Sequence, residues 1–115
     1  MGAVSLDEIL VTPLKRISTD GGDVMHALKN SDNGFKGFGE VYFSFIKSGQ
    51  VKGWKKHRIM TLNLIVPIGK VRFILYDDRH DSSSLHQFQE ITLSRSENYC
   101  RLTVPPMLWM GFQGL

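Results

Sequence analysis

Cysteine is nearly absent from this chain of 115 residues; Cys100 is the single one. That excludes an internal disulfide framework and any cysteine-based metal cluster, and it fits a reducing compartment. Long apolar runs are missing too. The longest candidate, Ile59 to Ile68, is broken by Thr61, Asn63 and Pro67. A membrane-spanning helix needs ~20 apolar residues, so no membrane partner is expected. Charge of one sign is scarce: fourteen Lys and Arg face eleven Asp and Glu, a formal net charge of +3. Such a surplus is too small to argue for nucleic acid. The N-terminal stretch MGAVSLDEILVTPLK has no basic region ahead of an apolar one, so it does not read as a secretory signal. Gly2 is followed by Leu6 where a myristoylation signal wants Ser or Thr. There is neither an internal repeat nor a low-complexity tract. The expected location is the cytoplasm.

What is present suits one soluble domain over residues 1–115. The hydrophobic share is 42% and the charged share 22%, ordinary values for a globular protein. At this length a core is thin, and self-association would help it.

The first third, residues 1–34, reads as irregular with short ordered pieces. Ile9, Val11 and Leu14 suggest a brief strand near Pro13. Gly21-Gly22-Asp23 is a turn signal, and Asp23 could cap one or two helical turns through Val24, Met25, Ala27 and Leu28. Ser31-Asp32-Asn33-Gly34 breaks what precedes it. From Phe38 onward the pattern changes. Val41, Phe43 and Phe45 alternate with Tyr42, Ser44 and Ile46, a strand period rich in aromatics. Ser48-Gly49-Gln50 is a turn, and Val51 to Arg58 a second extended piece. Met60, Leu62, Leu64, Val66 and Ile68 recur with period two, as do Val71, Phe73 and Leu75. Asp77 to Ser84 reads as a polar loop, with Asp77 and Asp78 in a turn. Ile91 and Leu93, then Tyr99 to Val104, carry two more strands. Met107 to Phe112 is either a final strand or the start of chain that continues. Roughly six or seven short strands at this spacing predict an all-β antiparallel domain with little helix, a sandwich, jelly roll or barrel.

Few residues stand out for chemistry. His26, His57, His80 and His86 lack the spacing that would align two ligands on one face, so no metal and no other cofactor is expected. His57 differs from the rest. It follows Trp54-Lys55-Lys56 and precedes Arg58, and neighbouring cations disfavour its protonated form. A neutral imidazole suits a general base, and the same cations would attract a phosphate group. The bland alternative is a solvated basic turn. Trp54, Trp109, Tyr42, Tyr76 and Phe112 would serve either a core or a stacking pocket. Lys52, Lys55, Lys56 and Arg58 with Trp54 form a cluster too short to indicate nucleic acid.

Several segments taken together resemble the nucleotide-sugar 3,5-epimerases of the cupin superfamily. Val51-Lys52-Gly53-Trp54-Lys55-Lys56-His57 is similar to that family's strand with a glycine and then the catalytic histidine. Ile68 to Arg79 resembles its central hairpin and strand. Ile91-Thr92-Leu93-Ser94 with Glu97-Asn98 resembles the strand and turn before two prolines, and Leu102 to Phe112 the late apolar strand, Pro105-Pro106 and Gly-Phe. The match runs over roughly residues 34–112. It implies a cupin-like jelly roll, a homodimer without metal, and a nucleotide-sugar substrate such as a dTDP-4-keto-6-deoxy sugar used in cell-surface polysaccharide synthesis, including lipopolysaccharide. It implies His57 as the base that removes the proton next to the ketone; by their own chemistry Lys55, Lys56, Arg58, Asn63 and Trp109 are the substrate-binding candidates. Met110 stands where the family carries a histidine. The family's tyrosine acid and orienting aspartate come after its Gly-Phe. The alternatives are a cupin module that binds a nucleotide sugar or carbohydrate without turnover, or a dimerisation domain.

Overall fold

The computed structural model describes residues 4–115. Nine strands follow one another: β1 Leu10–Pro13, β2 Arg16–Ile17, β3 Val24–Met25, β4 Val51–Lys56, β5 Leu62–Leu64, β6 Lys70–Asp77, β7 Phe88–Ser94, β8 Cys100–Val104 and β9 Leu108–Gly114. They form a three-stranded sheet in the order β1-β8-β5, a four-stranded sheet in the order β4-β9-β6-β7, and the small β2-β3 hairpin. Every ladder between named strands is antiparallel. No helix occurs among the described residues. This is the all-β sandwich that the alternation predicts.

The alternation also assigns the faces. Phe73 and Leu75 of β6 stand opposite Ile91 and Gln89 of β7, and opposite Phe112 and Met110 of β9. With Leu93, Leu102, Val104 and Leu108 they form one core between the two large sheets. Leu75, Leu93 and Leu102 are fully buried, and each such side chain contributes about 1.5–3 kcal/mol relative to exposure. The core also takes in Leu6 and Ile9, which precede β1. Strand β8 is buried along its whole length. Its Leu102 and Val104 face the core, while Arg101 and Thr103 point to the other face, where residues 26–34 cover them. Ala27 O accepts a bond from Arg101 Nη1 at 2.6 Å, and a Cβ added to Gly34 would collide with the Thr103 side chain. Burial raises the pKa of the Cys100 thiol, which leaves it protonated and inert at neutral pH.

Three elements depart from expectation. The helical turns after Asp23 are instead the hairpin strand β3, whose Val24 and Met25 pair with Ile17 and Arg16. The tight turn closed by the Gly22 N–H on Thr19 O (3.1 Å) returns the chain on itself, and so short a run cannot meet the cost of helix nucleation. The strand expected from Met60 to Ile68 is ordered in a ladder only over Leu62–Leu64. The segment 35–47, which carries the strongest aromatic alternation, has no ladder at all among the described residues. Phe43 and Phe45 are 85% and 87% exposed. At the far end, Met107 to Phe112 falls in a full strand, β9, central in its sheet.

Candidate functional site

Strand β4 carries the basic cluster along the edge of the four-stranded sheet. Its Lys52, Lys55 and Lys56 stand opposite Phe112, Met110 and Trp109 of β9, with a register irregularity between Lys52 and Lys55. The strands approach closely here, for a Cβ on Gly53 would lie 2.9 Å from the Gly111 Cα. Alternation puts Lys55 on the face shared with Met110, where at the sheet edge it stays exposed, and Lys56 on the outer face shared with Trp109. His57 follows directly. It is half-buried, and its carbonyl accepts the Met107 N–H at 2.7 Å, which ties the end of β4 to the turn before β9. Lys55 and Arg58 are exposed beside it.

The outer face holds a second group. Lys56 Nζ lies 2.9 Å from Asp78 Oδ1 and 5.2 Å from the centre of the Trp109 ring system. The Trp109 indole N–H donates to Asp78 Oδ2 at 3.0 Å. Bonds from Lys56 and Trp109 outweigh burial and lower the Asp78 pKa. Trp54, Tyr76, Phe88 and Trp109 line an open depression of about 410 Å³. The Tyr76 and Phe88 rings stack at 4.5 Å between centroids, and Trp54 and Phe88 remain about half exposed, at 51% and 56%. Such a floor can stack a planar ring or the apolar face of a sugar, with the Lys56–Asp78 pair supplying one donor and one acceptor at its edge.

The candidate residues therefore divide. Lys55, His57 and Arg58 lie within four residues of chain at and just after the end of β4, and Lys56 and Trp109 meet on the outer face. Asn63 joins neither group. It lies on β5 in the other sheet, where its Nδ2 donates to Gly34 O at 3.0 Å and its Oδ1 accepts from Thr103 Oγ1 at 2.7 Å. Its amide holds residues 26–34 down on the sheet. Asp78 and Phe88 were not among the candidates. The signal for Asp78 was its place one residue beyond a strand whose Tyr76 pairs with Trp109. His80 and His86 are exposed. Among the described residues no group of three or more His, Cys, Asp or Glu is arranged to hold a metal ion.

Comparison with solved structures decides the family. Over 97% of its length the chain superposes on a dTDP sugar isomerase from Desulfovibrio desulfuricans G20 with a TM-score of 0.91 and 37% sequence identity, spanning 73% of that protein. The chain belongs to the dTDP-sugar isomerase family. More distant solved structures share the fold. The RmlC epimerase of Mycobacterium tuberculosis matches with a TM-score of 0.78 at 16% identity, over 100% of this chain and 62% of that one. The Legionella pneumophila dTDP-6-deoxy-D-glucose-3,5-epimerase, solved with dTDP-4-keto-L-rhamnose, matches at 0.75 and 18% identity, over 94% and 66%. No protein-family model and no curated protein sequence matches the chain. The sandwich described above is thus a cupin jelly roll, and among the described residues no helix is long and apolar enough to cross a membrane.

Proposed function

We propose that this chain handles a dTDP-linked 4-keto-6-deoxy sugar, and that His57 is the base that removes the proton on the carbon next to the ketone. The observation that carries the reading is the 37% identity to a dTDP sugar isomerase over 97% of the chain. A carbon acid beside a ketone needs a base at short range. His57 is half-buried directly after β4, and its backbone carbonyl accepts the Met107 N–H, which favours a fixed place for it. Removal of the proton leaves an enolate, and return of a proton to the opposite face inverts the centre. Lys55 and Arg58 flank the imidazole with positive charge for a diphosphate. Trp109 and Lys56 offer the stacking floor for the base or the sugar. Nucleotide-linked deoxysugars of this kind feed cell-surface polysaccharide assembly, lipopolysaccharide included, and the reading places the protein in the cytoplasm where such sugars are made.

The test is deuterium uptake in D2O from a panel of dTDP-linked 4-keto-6-deoxy sugars, read by sugar mass. The wild type is expected to incorporate deuterium, and His57→Ala to lose at least about 100-fold of that rate, the lower range for a general base. A sugar that binds without exchange selects the alternative, a cupin module that holds a nucleotide sugar without turnover. Met110, buried on the inner face opposite Lys55 where the family resemblance expects a histidine, favours that second reading.

The working form we propose is a homodimer, and residues 36–47 support it. They alternate as a strand does and carry Phe38, Val41, Tyr42, Phe43 and Phe45 at 70–87% exposure. From 36 to 46 no backbone–backbone hydrogen bond is made among the described residues. A strand with this sequence needs a sheet edge, and a second copy supplies one. Phe43→Glu with Phe45→Glu should convert the dimer to a monomer in light scattering; an unchanged mass would remove the arm from the interface.

A further inference from the structure

The outer face of the β1-β8-β5 sheet holds a cavity that the proposed sugar chemistry does not use. It measures about 450 Å³, and Lys15, His26, Lys29, Asp32 and Arg101 are among its lining residues. Arg101 lies on it from the middle strand and is only 1% exposed. Its Nη1 donates to Ala27 O at 2.6 Å and to Asp32 Oδ2 at 3.2 Å. Its Nε is buried and has no hydrogen-bond partner among the described residues. A guanidinium carries five N–H donors in a rigid fork, and a buried donor left without an acceptor costs about 1–3 kcal/mol. A fold does not ordinarily leave such a group empty-handed on a cavity wall.

The charges around that donor are unbalanced. Lys15 and Lys29 are exposed at the cavity, and neither forms an ion pair among the described residues. Three permanent cations therefore surround one carboxylate, Asp32, which is already committed to Arg101 and to the Lys29 backbone N–H at 2.8 Å. A single water would satisfy Nε and leave the charge excess untouched. A group with two negative charges and several acceptor oxygens would satisfy both. The volume is larger than a bare phosphate needs and lies in the range of small-ligand pockets, and Leu14, Ala27 and Leu28 supply apolar wall.

We propose that this cavity is a second binding site, for a small phosphorylated molecule whose phosphate lies against Arg101 between Lys15 and Lys29. The site is on the opposite sheet from β4 and His57, so it stands or falls independently of the epimerase reading.

The experiment is calorimetric titration of the full chain with inorganic phosphate and with inorganic pyrophosphate. Saturable binding with a dissociation constant of about 1 mM or tighter is expected for one of them. Lys15→Glu with Lys29→Glu should weaken it at least tenfold while the melting temperature holds, because both side chains are exposed. Lys55→Glu with Arg58→Glu, at the end of β4, removes whatever anion binding the proposed sugar site adds and should leave the binding that depends on Lys15 and Lys29 in place. The reverse pattern, loss in the β4 variant and retention in the Lys15/Lys29 variant, would assign the phosphate to the proposed sugar site and overturn the inference. Absence of saturable binding to either anion would overturn it as well.

Discussion

Asp77 and Asp78 are neighbours in the chain and have opposite surroundings. Asp77 ends β6 on the inner side and is fully buried. It accepts from Arg79 Nε at 2.9 Å, Arg79 Nη2 at 2.9 Å, the Arg79 backbone N–H at 3.0 Å and Ser84 Oγ at 2.6 Å, and from Ser82 Oγ. Arg79 continues outward to Glu8 Oε1 at 3.0 Å and Asp7 O at 2.8 Å, so this one carboxylate ties the 77–84 loop to the segment before β1. Asp78 turns to the outer face, where its side chain is 34% exposed and, among the described residues, bonds to Lys56 and Trp109 alone. Burial alone would raise the Asp77 pKa, yet the bonds from Arg79, Ser82 and Ser84 win and hold it well below the usual carboxylate range. The contrast separates two uses of one residue type. A carboxylate whose acceptor sites are all filled by the protein is a staple, and a partly exposed one with a lysine and an indole beside it is free to meet a ligand.

Breaking the staple should have the largest effect. Asp77→Ala removes one member of a buried ion pair and leaves Arg79 and two serines without their acceptor, a loss of about 3–5 kcal/mol. The shift in urea midpoint at pH 7 measures it, and a loss under about 1 kcal/mol would show that Asp77 behaves like a surface carboxylate. The pH dependence sharpens the same point. A carboxyl whose folded pKa is depressed stabilises the fold fully above its unfolded value, near 3.9, and loses that contribution as pH falls toward the folded value. The stability gap between wild type and Asp77→Ala should therefore be constant from about pH 5 to 7 and narrow below about pH 4. A gap that does not change on acidification would contradict the depressed pKa.

How much of this was legible beforehand follows from where the partners sit. Strands β6 and β7 were readable because Val71, Phe73, Leu75, Ile91 and Leu93 keep a strict period of two against one core, whereas the apolar run of β9 left a final strand and a continuing chain equally open. Residues 41–46 read as a strand for the same reason, but a ladder needs an edge, and none within the described chain reaches them. The turns after Asp23 were misread because a capping residue and a hairpin turn share the same small polar residues, and the pairing of Val24 with Ile17 settled the competition. Asp77 looked like a turn residue because its donors Arg79, Ser82 and Ser84 come from the loop that follows, whose closure no periodicity encodes. Asn63 and Trp109 were grouped as ligand candidates by chemistry alone. The fold places them on different sheets, which residue type cannot indicate.

The smallest expected effect lies on the outer face, and it is the one that reports on function. Asp78→Asn keeps a hydrogen-bond acceptor for the Trp109 indole and removes the charge that Lys56 faces. A partly exposed ion pair of this kind contributes about 0.2–1 kcal/mol, so the fold should be little changed and the midpoint shift should shrink further in high salt. Lys56 would then lie over the Trp109 ring without its counter-ion. If the aromatic floor of Trp54, Tyr76, Phe88 and Trp109 receives the base or sugar of a nucleotide sugar, freeing that lysine beside a diphosphate should tighten dTDP binding several-fold, read by quenching of tryptophan fluorescence. The same substitution should leave dTDP affinity untouched if the ligand enters only by the His57 side of β4. The variant thus separates the two faces of one strand with a change too small to disturb the sheet that carries both.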